Sequence, residues 1–412
     1  MLLNVAFLDV FHGDCAVATF NQDGRKACIV VDGGEKRDAA KRLAAYLRHE
    51  KVEVIDLLVA THIDSDHVNG LVQFLKSESG KTTSWNNGKE KCIRHYWGPK
   101  PDPDWAPASP TRTRGASISP SLTPQLQTMD FVIQSVEQNQ QLSDLVQKHI
   151  IDADNIYYPS LEGMPPLDIF DGISLEFLAP DVQILDSTIQ KMALSVSNLP
   201  YKQTLSKKAP AGRRRRLTLA DLRGSLAMNA ERIAEIAKRN ANNQSIVFRL
   251  TPADVSGWSF LLTGDAEEES WEMMRHMPRA KKKLAARVLK VPHHGSINGI
   301  NKASFKVINP EYSIISVGQK HGLPDGQTLN LIKGDRKRKL FCTERNNSGT
   351  EPGPCGEREC VRKKESYFRS IRFSIDTETG QEKIDIFTIN AKLGDIETKT
   401  GDIWCRENEW PT

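Results

Sequence analysis

The sequence predicts a layered α/β sandwich, and three observations carry that expectation. Strand-length apolar runs alternate with helical periodicity along the first third of the chain. One such run, Val54–Ala60, is apolar apart from Asp56, as in a strand buried on both faces. Several of the runs end in polar clusters, where α/β proteins build sites at the carboxyl ends of their strands.

The elements follow in order. Leu3–Val10 is apolar up to Asp9 and reads as the opening strand. Ala27–Val31 reads as another, closed by Asp32-Gly33-Gly34, with Gly24 marking the turn between them. Residues 38–50 place Ala39, Leu43, Ala44 and Leu47 on one helical face. After the strand at Val54–Ala60 come His62-Ile63-Asp64-Ser65-Asp66-His67, then Gly70 and a short helix. Residues 99–125 are dense in Pro, Ser and Thr without a period and read as a surface loop or lid, before an amphipathic helix over Asp130–Ile150. A strand at 173–178 ends at Ala179-Pro180. The stretch from Tyr201 to Leu217 holds Lys202, Lys207, Lys208, Arg213, Arg214, Arg215 and Arg216 with no acidic residue, and a helix is expected at 221–239. Strand signals return at Ser245–Leu250, at Trp258–Leu262 before Thr263-Gly264-Asp265, at Arg287–Val291 before Pro292-His293-His294, and at 312–317. Residues 331–364 mix turns, basic residues and three cysteines. The sequence shows no fixed-period repeat and no coiled-coil heptads.

Composition narrows the function classes. A chain of 412 residues with 56 basic and 52 acidic side chains carries a net charge of only +4. At roughly 150 residues per domain it holds two or three domains, or one enlarged by insertions. Its 39% hydrophobic content describes an ordinary globular protein, and no apolar run reaches the ~20 residues of a bilayer-spanning helix. The opening segment lacks a basic stretch and carries Asp9 and Asp14, unlike a signal peptide. Seven scattered cysteines are too few for a disulfide scaffold, and the expected compartment is the cytoplasm.

The chemistry concentrates at four strand ends: Asp32, the 62–67 cluster, Asp265 and His293-His294. Four of the ten histidines fall in two of these. Four ionisable residues in six positions straight after an apolar strand would bury charge at several kcal/mol each without a partner. A pair of divalent cations is the natural partner, since imidazole and carboxylate together suit Zn²⁺ and related first-row ions.

These motifs are similar to those of the metallo-β-lactamase superfamily. THIDSDHVNG resembles its His-x-His-x-Asp-His signature, with Asp64 where most members carry a second His. That variant looks like the hydrolase domain of competence ComEC-type DNA-uptake proteins. FLDVFHGDCAV, IVVDGG, NNQSIVFRL with FLLTGDA, LKVPHHGS, SVGQKHGLPDGQTL and FCTERNNSG resemble further segments of that branch in the same order. The resemblance implies an αββα metallo-β-lactamase sandwich over residues 1–350, with insertions at about 99–165 and 181–240 and a C-terminal extension over 351–412. It implies two divalent ions, Zn or Mn: one on His62 and Asp64, the other on Asp66, His67 and one histidine of the 293–294 pair. His293 is preferred and His294 is the alternative, with Asp265 bridging and Asp32 orienting a ligand from behind. The superfamily's third motif supplies a His near Leu178-Ala179-Pro180, and this chain has none; Asp181, His149 and His95 are the candidate substitutes.

Such a site implies hydrolysis by a hydroxide bridged between two metals, most simply of a nucleic-acid phosphodiester. Asp66 and His321 are the expected catalytic residues, His321 with Lys320 contacting the scissile phosphate. Lys207, Lys208 and Arg213, Arg214, Arg215 and Arg216 are the candidate nucleic-acid contacts, DNA being the expected partner. Two other readings stand beside this one: hydrolysis of a small phosphodiester or amide, and a non-catalytic metal-binding subunit of a multi-subunit system. Cys342, Cys355 and Cys360, with Cys405, are a candidate structural zinc site. Trp85, Trp97 and Trp105 are read as core or loop packing in preference to stacking on bases.

Overall fold

The computed structural model describes residues 1–22, 24–77, 85–101, 124–158, 167, 169, 171–180, 241–253, 257–318, 322–334, 338–343, 370–389 and 396–400. The chain opens with β1 (Leu2–Phe7), β2 (Ala16–Gln22) and β3 (Arg25–Val31), an antiparallel meander. Helix α1 (Arg37–His49) crosses to β4 (Ile55–Val59), α2 (Ser65–Ser77) to β5 (Ile93–Trp97), and α3 (Pro124–His149) to β6 (Ile156–Tyr157). These crossovers make β3, β4, β5 and β6 parallel, as strand–helix–strand units require.

The second sheet follows the same plan. Its β7 (Ile173–Ala179), β8 (Val247–Pro252) and β9 (Phe260–Leu262) are antiparallel. Then α4 (Glu268–His276), α5 (Pro278–Lys281), β10 (Val288–Lys290), α6 (Lys302–Ile308), β11 (Tyr312–Ile315), α7 (Gly326–Lys333) and β12 (Lys339–Cys342) alternate, and β9 to β12 run parallel. Finally β13 (Ser370–Asp376), β14 (Glu382–Ile389) and β15 (Ile396–Thr400) return to the first sheet, β13 pairing antiparallel with β1. The result is a nine-stranded sheet, β15-β14-β13-β1-β2-β3-β4-β5-β6, facing a six-stranded one, β12-β11-β10-β9-β8-β7.

Strand alternation builds three apolar layers. Along β1, Leu3, Val5 and Phe7 face the core between the sheets, while Ala6 and, just past the strand, Leu8 face the layer under α1 and α2. Tyr312 and Ile314 of β11 likewise enter the central core, and Ile315 packs under α4 to α7. Trp97, Phe248, Phe260 and Phe373 fill the middle, each such side chain contributing about 1.5–3 kcal/mol by leaving water. Helices outside two facing sheets form the expected αββα metallo-β-lactamase sandwich.

Three local features differ from the sequence expectations. The turn at Gly24 joins β2 to β3; a further strand, β2, follows a turn over residues 8–15. Helix α2 begins at Ser65 and not after Gly70, so Asp66 and His67 sit in its first turn. Strands β13 to β15 fall in the segment set apart as an extension, and they lengthen the first sheet. The expected helix at 221–239 lies outside the described residues.

Candidate metal centre

The centre forms where the carboxyl ends of β3 and β4 face those of β9 and β10. Close glycine packing seats α2 there. Gly33 N donates to His67 O at 2.9 Å and Gly70 N to Gly34 O at 2.7 Å. A Cβ at Gly70 would overlap the carbonyl of Gly33, so this helix comes closer to the 32–34 turn than any side chain allows. Asp32, His293 and His294 all hold positive φ, at 57°, 50° and 53°. Such backbone costs about 1–3 kcal/mol per residue and gathers at functional sites, where the surrounding structure holds it.

Three histidines are tied back through Nδ1 and turn Nε2 inward. His67 Nδ1 donates to Asp32 Oδ2 at 2.9 Å. His294 Nδ1 donates to the Ser316 carbonyl at 2.7 Å. His62 Nδ1 meets Thr61 Oγ1 at 3.0 Å, and that hydroxyl donates to Asp32 Oδ2 at 2.7 Å. Metal-binding histidines are held in this way, their second nitrogen fixed by a carboxylate or carbonyl behind them.

The inward nitrogens converge on two carboxylates. Asp66 Oδ2 lies 3.0 Å from His294 Nε2, while Asp265 places Oδ1 3.3 Å from His67 Nε2 and Oδ2 3.3 Å from His294 Nε2. Donor atoms of Asp66, His67, Asp265 and His294 all lie within 4.8 Å of one another. His62 Nε2 stands 3.9 Å from Asp265 Oδ2 and 3.9 Å from Asp64 Oδ2. The buried His62 Nε2, His67 Nε2 and Asp265 Oδ1 make no hydrogen bond. Native proteins rarely leave such groups buried and unsatisfied, so this donor set fits divalent cations.

Electrostatics divide the histidines. Burial and the neighbouring His67 push His62 down to about 3, which keeps it neutral. His67 is pushed well above the ordinary range: burial opposes the charge, and Asp265, Asp32 and Asp66 outweigh it. His294 rises to about 10, burial being overcome by Asp265, Asp66 and Asp14. Asp66 and Asp265 fall well below the usual carboxylate range, because nearby imidazoles outweigh their burial. Without a cation, protons on His67 and His294 supply the compensating positive charge.

Of the sequence candidates, the structure gathers His62, Asp64, Asp66, His67, Asp265 and His294, with Asp32 behind His67 and Thr61. The histidine of the 293–294 pair that meets Asp66 is His294 and not His293. His293 points Nδ1 at Glu267 Oε1, 3.0 Å away, and Nε2 toward Asp265 Oδ2 at 3.9 Å. His149 and His95 do not join the donor groups. His149 Nδ1 donates to Glu90 O and its backbone meets Cys92 at the start of β5, the end of that strand remote from the centre. His95 stacks on Tyr157. Trp85 stacks on Phe74, and Trp97 packs edge-on against Phe177 and Phe248, both tryptophans being buried. Cys342 lies on β12. Asp181, Lys202, Lys207, Lys208, Arg213, Arg214, Arg215, Arg216, Lys320, His321, Trp105, Cys355, Cys360 and Cys405 lie outside the described residues.

The sequence reading missed three members of the centre. Asp14 pairs with Lys290 and places Oδ1 3.5 Å from His294 Nδ1. Lys290 is buried, donates from Nζ to Gly264 O at 2.9 Å, and lies 3.7 Å from Asp265 Oδ1. His12 brings Nε2 to 3.4 Å from Asp66 Oδ2. Their signal was present: His12 and Asp14 follow the opening strand as the other clusters follow theirs.

Comparison with known proteins meets this geometry. Residues 9–112 match the family model of the metallo-beta-lactamase superfamily, a segment that holds His12, Asp14, Asp32 and the 62–67 cluster. Sandwich, match and donor cluster together make the chain similar to the metallo-β-lactamase superfamily, with a group of residues placed where a metal could be held. Over 95 residues the chain is also 35% identical to ComE operon protein 3 of Bacillus subtilis (strain 168). That match covers 22% of this chain and 11% of the relative, so the likeness spans a small part of its length.

Proposed function

We propose that the chain is a metal-dependent nuclease, cleaving nucleic-acid phosphodiester bonds at a dinuclear centre. The observation that carries this reading is the inward convergence of His62, Asp64, Asp66, His67, Asp265 and His294 at the rim between the sheets. One ion would be held by His62 and Asp64, the other by Asp66, His67 and His294, with Asp265 shared. When bound, such ions supply Lewis-acid charge that activates water and stabilises negative charge developing on phosphate oxygens. The chain's own groups do the positioning. Asp32 fixes the His67 ring, the Ser316 carbonyl fixes His294, and Lys290 offsets the charge of Asp14 and Asp265 so that these two buried acids coexist.

The substrate class rests on two supports. The resemblance to competence-type DNA-uptake hydrolase domains favours DNA. The acid-free basic stretch from Tyr201 to Leu217 suits a phosphate backbone. No helix among the described residues is long and apolar enough to cross a membrane. A cytoplasmic setting is part of the same reading, supported by the buried thiols of Cys15 and Cys28. Cleavage of single- and double-stranded DNA and RNA with Mn²⁺, Mg²⁺ or Zn²⁺ tests it, comparing wild type with Asp66→Ala. Metal-dependent cleavage lost in the variant is expected; equal turnover by both proteins sinks the proposal.

A further inference from the structure

We propose that the two adjacent histidines divide their work, His294 serving the Asp66–His67 ion and His293 serving the His62–Asp64 ion. The inference rests on the dinuclear reading above and deepens it. The His62–Asp64 pair is short of donors. His62 Nε2 is buried, makes no hydrogen bond, and stands 3.9 Å from each of Asp64 Oδ2 and Asp265 Oδ2. The chain has no histidine at the end of β7, where a further donor would otherwise enter.

His293 meets that need by geometry. Its Nε2 lies 3.9 Å from the same Asp265 Oδ2 that faces His62. His62 Nε2 and His293 Nε2 thus each approach one Asp265 oxygen at a distance a little beyond the roughly 3–3.5 Å that separates ligands about 2.1 Å from a shared metal. Behind the ring, Nδ1 lies 3.0 Å from Glu267 Oε1, and Asn242 Nδ2 donates to that same oxygen at 3.0 Å. His293 approaches the arrangement of the other three histidines, with Nδ1 beside a carboxylate though not hydrogen-bonded to it and Nε2 turned toward Asp265. The backbone provides the divergence. His293 and His294 both occupy left-handed φ, the chain turns tightly over His293–Gly295, and their rings are 6.2 Å apart at 68°. One residue pair thus points two imidazoles past opposite oxygen contacts, His294 to Asp66 and His293 to Glu267.

Metal content is the decisive readout, taken alongside hydrolysis and independent of it. The purified chain, His293→Ala, His294→Ala and Glu267→Gln are equilibrated with Mn²⁺ or Zn²⁺ and the bound ions counted, with circular dichroism and melting as folding controls. Wild type is expected to hold about two ions, and His293→Ala about one, with the Asp66–His67 ion retained. Glu267→Gln keeps the ring and should weaken the same ion about 10–100-fold, as loss of a supporting carboxylate does. This milder variant carries the test if His293→Ala fails to fold. Two ions bound by His293→Ala or Glu267→Gln with unchanged affinity overturns the assignment, and so does a wild type that holds only one. A protein that loses one ion in His293→Ala but cleaves no nucleic acid supports the assignment and removes the nuclease reading.

Discussion

Two parts of one centre are built differently. The Asp66–His67–His294 group is dense: His294 Nε2 lies 3.0 Å from Asp66 Oδ2, both histidines lie 3.3 Å from Asp265, and His67 Nε2 stands 3.9 Å from Asp66 Oδ2. Surrounding carboxylates favour the positive form of both rings. At the His62–Asp64 pair, His62 Nε2 stands 3.9 Å from Asp64 Oδ2 and 3.9 Å from Asp265 Oδ2, and burial keeps His62 neutral. The contrast has a physical origin. Asp66 and His67 ride the first turn of a helix clamped by glycines against the 32–34 turn, whereas His62 precedes that helix. A dense, charge-compensated group must exchange protons for its ion; a sparse neutral pair binds without exchange but with fewer ligands. On the dinuclear reading proposed above, the first is expected to be the tighter site and the second the more easily emptied.

The largest effect should come from removing what the two parts share. Asp265 contacts His67, His294, His62 and His293, so Asp265→Ala is expected to release both ions. Hydrolysis should then fall by at least about a thousand-fold, roughly 4 kcal/mol of lost transition-state stabilisation. Ion counting with turnover checks this. Retention of one tightly held ion would show that the two parts are independent.

Next comes the support behind the dense group. Asp32 accepts from His67 Nδ1 and from both Thr61 N and Oγ1. Asp32→Asn should weaken the Asp66–His67 ion about 10–100-fold, the usual cost of losing a carboxylate behind a metal-binding histidine. Because Thr61 Oγ1 also meets His62 Nδ1, a smaller loss at the sparse pair is expected. Titration of each ion by calorimetry separates the two. Equal losses at both would mean that Asp32 acts on the fold and not on one ring.

Much of this contrast was legible in the sequence because its residues are local. The apolar run before Thr61 and the spacing of His62, Asp64, Asp66 and His67 placed the cluster at a strand end. The same logic located Asp32, Asp265 and the His293-His294 pair. The failures have physical causes. The choice between His293 and His294 depends on left-handed backbone at both, which spacing does not reveal. The α2 start was set too late because Gly70 reads as a breaker, whereas here it is a packing residue. Lys290 sits in an apolar strand, where partners distant in sequence, Asp14, Gly264 and Asp265, explain a buried amine. Strands β13 to β15 alternate polar and apolar residues, but their partner, β1, lies more than three hundred residues earlier.

The packing beneath the dense group offers a third test. Gly70→Ala would press a methyl group into the Gly33 carbonyl and lift α2 from the turn. Overpacking of this kind costs about 1–3 kcal/mol. Urea unfolding should show that loss, and the Asp66–His67 ion should loosen while His62, ahead of the helix, is less affected. An unchanged midpoint would mean that α2 is free to shift, contrary to the tight seat described above.

The effect most specific to the contrast is in pH. An ion that takes His67 and His294 as ligands must displace the protons that surrounding carboxylates hold there. Both histidines titrate above their ordinary value, His294 at about 10, so they are charged at neutral pH in the ion-free protein. Raising pH from 6 toward 9 removes proton competition, and affinity for that ion should climb by at most about tenfold per unit for each proton released. Asp66 and Asp265 are already ionised throughout and add no slope. His62 titrates near 3, so it is neutral across the same range and the sparse pair's ion should bind with little dependence on pH through His62. Competition titrations with a metal indicator at several pH values would show a steep and a shallow component. Two components of equal slope would mean that the carboxylates do not divide the histidines, and the distinction between the two parts of the centre would lose its electrostatic basis.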